Sequence, residues 1–142
     1  MNELIAKNAN GNPELGTNRP RVHRILCADD EQAICAWYFR ALSRSGYSVT
    51  TVADGKLAWE ALENGTFDLL ITDNQMPCLT GEELVLKVRQ HGLELPIICA
   101  SSKLDFFLDP ANEWLQVDQL LPKPFSLPKL IDTVERVLRR HH

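Results

Sequence analysis

From Val22 onward, short apolar runs alternate with helical periodicities. Ile25 to Ala28, opened by Arg24, is continuously apolar, and Phe67–Thr72 and Pro96–Ala100 have the same character. Runs of this length suit strands buried on both faces. Leu120 and Leu121 make a shorter candidate, and Tyr47–Val52 alternates as a half-exposed outer strand does. Between these runs the spacing changes. Ile34, Trp37, Tyr38, Ala41 and Leu42 recur in steps of three and four, with Gly46 as a stop. Ala58, Ala61 and Leu62 mark a second helix closed by Asn64-Gly65, and Thr80-Gly81-Glu82-Glu83 is a capping box opening a third, which carries Leu84, Val85 and Val88 and stops at Gly92. The last helix follows Ser126, with Pro128 in its first turn and Leu127, Leu130, Ile131, Val134 and Leu138 on one face. Asp132 with Arg136 and Glu135 with Arg139 add pairs four residues apart.

Strict alternation of strands and helices predicts an α/β domain, a doubly wound parallel sheet with helices on both faces. The stretch from Lys103 to Gln119 fits least well. Phe106-Phe107-Leu108 is apolar enough for a helix, but Pro110 interrupts it, so a short or displaced helix is expected. Residues 1–20 are rich in Asn, Gly and Pro with few sizeable aliphatics, Leu4 and Ile5 among them, which predicts a flexible tail ahead of one folded unit at 21–142.

With 142 residues, 44% of them hydrophobic and 24% charged, the chain is long enough for one ordinary domain and too apolar for disorder. A net charge of −4 supplies no basic field for phosphates, so direct nucleic-acid binding is not expected. No apolar stretch approaches the roughly 20 residues that cross a bilayer, and the N-terminus lacks a secretory apolar region, so a cytoplasmic protein is expected, with no membrane partner. Cys27, Cys35, Cys78 and Cys99 lack a C-x-x-C spacing and read as reduced, mostly buried small hydrophobes. Trp37, Trp59 and Trp114 read as packing residues, and His23, His91, His141 and His142 lack metal-ligand spacing.

In open parallel sheets ligands bind outside the carboxyl ends of the strands. The residues that follow the apolar runs there are Asp29 and Asp30, Asp73, Ser101 and Lys123. Singly, each has a plain alternative as a helix cap, a turn former or a solvated side chain. Jointly, three crowded carboxylates must raise a pKa or bind a cation, and a hard divalent ion such as Mg²⁺ suits them. A carboxylate beside such an ion is a nucleophile toward phosphorus, and the hydroxyl and ammonium would stabilise the transferring oxygens.

These residues, with Met76-Pro77 and Gly81 after Asp73 and Pro124-Phe125 after Lys123, make the chain resemble the receiver domains of two-component response regulators over about Val22 to Arg140. The resemblance, closest in kind to the chemotaxis-regulator receivers, implies a flavodoxin-like five-stranded sheet in the order 2-1-3-4-5. It implies that Asp73 is the phosphoryl acceptor, and that Asp29, Asp30, Asp73 and the backbone carbonyl of Gln75 hold Mg²⁺. Ser101 would be the switch hydroxyl, Lys123 would pair with the phosphoryl oxygens, and the Lys123-Pro124 bond would be cis. The implied partners are a sensor histidine kinase or phosphotransfer protein, with a small phosphodonor as substitute, and an unidentified downstream protein. The acyl phosphate would shift a loop equilibrium that controls partner binding, so the protein is not an enzyme beyond catalysing its own phosphorylation and dephosphorylation. A phosphorylation-dependent homodimer through the last helix is a hypothesis beside it.

The chain also departs from the family pattern. Leu120 stands where the family usually has an aromatic residue, and Pro110 falls where its fourth helix would run. Gln75 and Lys103 occupy positions expected to tune phosphoryl lifetime, and Ser102 is small, as access to the phosphoryl group requires. Two other readings compete. One is a pseudo-receiver that never carries phosphate; the other is a phosphohydrolase with an aspartyl nucleophile, which would want a second acid where Gln75 stands. A flavin site is disfavoured because no Ser/Thr/Gly-rich loop follows the first strand.

Overall fold

The chain runs β1 (Arg24–Ala28), α1 (Gln32–Arg44), β2 (Ser48–Val52), α2 (Gly55–Asn64), β3 (Leu69–Thr72), α3 (Gly81–Gln90), β4 (Ile97–Ser101), α4 (Asp105–Leu108), a 3-10 helix (Pro110–Leu115), β5 (Gln119–Pro122) and α5 (Leu127–His141). This structure, a computed structural model, describes residues 21–142 together with Ala9. The tail expected over 1–20 therefore lies, Ala9 aside, outside the described residues. The five strands are all parallel, in the order β2-β1-β3-β4-β5.

Two apolar layers explain why β1, β3 and β4 read as unbroken apolar runs. Ile25, Cys27, Leu69, Ile71, Ile98 and Ala100 point to one face, where Tyr38 and Leu42 of α1 and Leu130, Val134, Val137 and Leu138 of α5 cover them. Leu26, Ala28, Leu70 and Ile97 point to the other, against Ala58 of α2, Leu84, Val85 and Val88 of α3 and Leu115 of the 3-10 helix. Each inner strand thus has core on both sides, and its polar residues, Arg24, Thr72 and Ser101, fall at the strand ends. β2, at the edge, is nowhere fully buried, as its alternation predicted.

Helix ends follow local chemistry. Asp54 caps α2 by accepting the Leu57 N–H at 2.8 Å, and the capping box at α3 is complete in both directions, Glu83 N–H to Thr80 Oγ1 and Thr80 N–H to Glu83 Oε1. Pro110 does break the fourth helix. α4 is a single turn, Asp109 accepts the Ala111 N–H at 2.9 Å, and the chain restarts as the 3-10 helix with Pro110 at its beginning. That helix ends at Gln116 in the left-handed region, and the Arg89 guanidinium donates to the carbonyls of Leu115 and Gln116 at 2.6 and 3.1 Å.

Three sequence expectations need correction. In α5 the buried stripe runs through Leu130, Thr133, Val134, Val137 and Leu138, while Leu127 is exposed. Asp132 and Arg136 pair as expected, but no ion pair joins Glu135 to Arg139 among the described residues. Trp114 is 54% exposed, because its neighbour Leu115 takes the inward position of the 3-10 helix. Of the four free cysteines, Cys27 and Cys99 are buried, Cys35 is half-buried, and Cys78 is exposed at a φ of 69°.

Candidate functional site

The register of the parallel ladders carries four side chains to one rim. Ala28 pairs with Thr72, Thr72 with Cys99 and Ser101 with Pro122, so β1 and β3 end level with each other, and β4 and β5 end level with each other two residues further along. The ladder bonds continue one step further: the N–H of Asp29 donates to Val52, that of Asp73 to Ala28, and that of Lys123 to Ser101. Asp29, Asp73 and Lys123 are thereby fixed through their backbones, while Ser101 is the last residue of β4 rather than the first beyond it.

Carboxylate oxygens of Asp29, Asp30 and Asp73 all lie within 4.8 Å of one another. Asp29 and Asp73 are buried and Asp30 is exposed at the mouth. The Lys123 ammonium reaches both buried carboxylates, at 2.6 Å from Asp29 Oδ2 and 3.2 Å from Asp73 Oδ2. Burial works against its charge, but the hydrogen bonds and charges of Asp29 and Asp73 outweigh that and raise its pKa above the ordinary lysine value. The Lys123-Pro124 bond is cis.

The other oxygens are taken up by backbone. Asp29 Oδ1 accepts the N–H of Glu31 at 2.9 Å, which ties the acidic pair to the start of α1. Asp73 Oδ1 accepts the N–H of Asn74 at 2.6 Å and of Gln75 at 3.4 Å. The Thr72 hydroxyl donates to the Asp73 carbonyl at 2.8 Å. Nearby acids are kept neutral: burial, then Cys35 and Asp29, push the Cys27 thiol well up, and burial does the same for the Tyr38 phenol. Cys35, raised by burial and by Asp29, keeps its proton and donates it to the Asp29 carbonyl at 3.1 Å.

The local charge is therefore three carboxylates against one ammonium. The excess matches a divalent cation, and an all-oxygen donor set fits a hard one such as Mg²⁺. A hollow of about 600 Å³ adjoins the cluster, lined by Asp30, Gln75, Met76, Thr80, Glu82 and Lys103 among others, and leaves it open to a small ligand.

Two glycines allow the close packing behind the site. A Cβ on Gly81 would stand 2.1 Å from the Asp73 carbonyl oxygen, and one on Gly55 would stand 2.1 Å from that of Leu79. Gly81 belongs to the motif singled out in the sequence; Gly55 does not, since its role depends on α2 and the loop after β3 meeting in space. The sequence reading also missed Asn74, which is buried and donates from Nδ2 to the Lys103 carbonyl at 3.1 Å. A polar residue just past a strand end resembles any loop residue, so no pattern marked it. Ser101 Oγ accepts the Lys103 N–H at 3.1 Å. Gln75 is exposed, with its N–H directed at Asp73.

Comparison with known proteins agrees with this fold. Residues 25–135 match the family model described as response regulator receiver domain. Response regulator MprA of Mycobacterium leprae is 36% identical over 117 residues, 82% of this chain and 51% of that protein. The alkaline phosphatase synthesis transcriptional regulatory protein PhoP of Bacillus subtilis is 35% identical over 117 residues, 82% of this chain and 49% of that protein. The chain thus spans about half the length of these curated relatives. Among solved structures, chemotaxis response regulator CheY4 of Vibrio cholerae superposes with a TM-score of 0.75 at 29% identity, covering 82% of this chain and 99% of that one. TrrA of Thermotoga maritima, solved in complex with Mg²⁺ and beryllofluoride, superposes at 0.73 with 28% identity over the same shares.

Proposed function

The chain belongs to the response regulator receiver domain family, and from that premise we propose that residues 21–142 form a phosphoacceptor switch in which Asp73 takes a phosphoryl group. The observation that carries this reading is the convergence of three carboxylates within 4.8 Å with the Lys123 ammonium bridging two of them. Asp29, Asp30, Asp73 and the Gln75 carbonyl would hold Mg²⁺. When bound, the ion would neutralise charge on the transferring oxygens and orient them for in-line attack.

The remaining work belongs to the chain. The backbone N–H groups of Asn74 and Gln75 hold one Asp73 oxygen, which orients the carboxylate. An Asp73 oxygen forms a bond to phosphorus as the donor's phosphorus–nitrogen or phosphorus–oxygen bond breaks, giving an acyl phosphate. Lys123, already charged and within 3.2 Å of Asp73, would exchange that carboxylate for the new phosphoryl oxygens. Ser101 has a hydroxyl proton to donate once those oxygens appear, because among the described residues its Oγ serves only as an acceptor for Lys103. The added charge would thereby favour one arrangement of the loops after β3 and β4, and with it a partner.

The phosphodonor would be a sensor histidine kinase or a phosphotransfer protein, and the target a downstream protein, in the cytoplasm. No described helix is long and apolar enough to cross a membrane. Incubation with acetyl phosphate and Mg²⁺, read by intact mass, tests the assignment. A single phosphoryl adduct is expected, lost on chelation and in Asp73→Asn. If neither acetyl phosphate labels the chain nor beryllofluoride binds it, it is a pseudo-receiver; release of many phosphates per chain from a small phosphate ester would make it a phosphohydrolase.

A further inference from the structure

Asn74, the residue directly after the acceptor, uses all of its polar groups, and together they join three separate segments. Its N–H donates to Asp73 Oδ1 at 2.6 Å, and its carbonyl accepts the Gly81 N–H at 2.9 Å. Its side-chain Oδ1 accepts the Glu82 N–H at 2.9 Å, in the first turn of α3, while Nδ2 donates across to the Lys103 carbonyl at 3.1 Å. Among the described residues this last bond is the one hydrogen bond between the loop after β3 and the loop after β4. The peptide it holds is pinned a second time, because the Lys103 N–H donates to Ser101 Oγ at 3.1 Å. An unbroken path therefore runs from Asp73 through Asn74 and Lys103 to Ser101.

The geometry points to Asn74 as a positioning residue: its Nδ2 tether to the Lys103 carbonyl places the loop after β4, and with it the Ser101 hydroxyl, for the phosphoryl group before that group arrives. The inference rests on the phosphoacceptor reading of Asp73. Lys103 contributes through its backbone, so its own side chain does not carry the effect. Without the tether the loop must be ordered when the phosphoryl group binds, and that ordering cost weakens the bound state. Cation binding draws on Asp29, Asp30, Asp73 and the Gln75 carbonyl and does not need the loop after β4. The two affinities should therefore separate.

Asn74→Ala in the full chain tests this. Beryllofluoride, as the phosphoryl stand-in, is expected to bind about fivefold or more weakly at saturating Mg²⁺, the equivalent of one net hydrogen bond. Mg²⁺ alone should bind within about twofold of the unaltered chain, since the substitution keeps the Asn74 backbone N–H on Asp73 and removes only a neutral side-chain amide whose partners, Lys103 and Glu82, are not among the proposed ligands. Asn74→Asp is the second variant, because it keeps an acceptor for the Glu82 N–H yet has no donor for Lys103. Amide exchange at Lys103 and Leu104 should quicken in both variants while the strands keep their protection. Parallel loss of both affinities, or unchanged exchange in both variants, overturns the proposal. If the unaltered chain binds no beryllofluoride, the phosphoacceptor reading falls, and loop exchange in the same variants still decides whether the tether holds.

Discussion

Lys123 and Asp68 show how much depends on a single buried charge. Lys123 is the only cation touching Asp29 and Asp73 among the described residues, so Lys123→Ala leaves two buried carboxylates facing each other. In metal-free buffer this should cost about 1–3 kcal/mol, less than a fully buried pair because the lysine retains some solvent. Mg²⁺ supplies the missing positive charge, so it should raise the melting temperature more in the variant than in the unaltered chain; equal increments in a thermal shift assay would refute that account. Asp68, buried ahead of β3, accepts the Arg24 N–H at 2.8 Å and pairs with Arg21, fastening the start of β1. Burial opposes its ionisation, but the Arg24 N–H and the Arg21 guanidinium outweigh it and hold its carboxyl below the usual range. A lowered folded pKa gives stability that is present above the unfolded value of about 4 and is lost as pH falls through the folded one. Asp68→Asn should therefore be less stable at neutral pH, by about 1–3 kcal/mol, and should lose less on further acidification. Urea midpoints across that pH range measure both effects. Neither residue's role follows from its place in the sequence: Asp68 looks like a strand-start acid, and the partner of Lys123 lies 94 positions away.

Elements meet at the site through close approaches rather than through side-chain bulk. The N-terminus of α3 presses on the acceptor loop at Gly81, where a Cβ would stand 2.1 Å from the Asp73 carbonyl oxygen and 2.7 Å from Asn74 Cα. Both obstacles are backbone, so Gly81→Ala must move the acceptor loop or α3. A stability loss of about 1–3 kcal/mol is expected, typical of forced overpacking, with labelling by acetyl phosphate falling as well. Gly46 offers the contrast. Its φ is 94° and a Cβ there would meet nothing within 4 Å, so Gly46→Ala strains only its own backbone. It should cost about 1 kcal/mol and leave labelling intact. Intact mass and urea midpoints on the two variants separate these cases. At this scale the sequence was readable wherever local chemistry decides: the Thr80 capping box, the break at Pro110 and the cap at Ser126 all stand where their residues placed them. It was not readable where the alternatives share one local pattern, as with exposed Trp114 beside buried Leu115.

At the scale of the molecule, one sheet separates two apolar layers, and its inner strands belong to both. Neither layer survives loss of the sheet, so the described domain should unfold in a single step. Trp37 packs against the layer of α1 and α5, and Trp59 against that of α2 and α3. Urea transitions followed by fluorescence of the double variants Trp37→Phe/Trp114→Phe and Trp59→Phe/Trp114→Phe, each keeping one tryptophan in one layer, should coincide with the loss of helical circular dichroism; separate midpoints would show that the layers melt independently. The amino-acid sequence by itself determined the strand and helix alternation, the parallel two-faced sheet, and the set Asp29, Asp30, Asp73, Ser101 and Lys123, because apolar period and strand-end position are local properties of a chain. Only the tertiary structure decided which of those groups touch, that Lys123 lies between Asp29 and Asp73, and that Asn74 reaches Lys103. Those contacts join residues far apart in sequence, and their distances depend on strand order and register, which no single segment encodes.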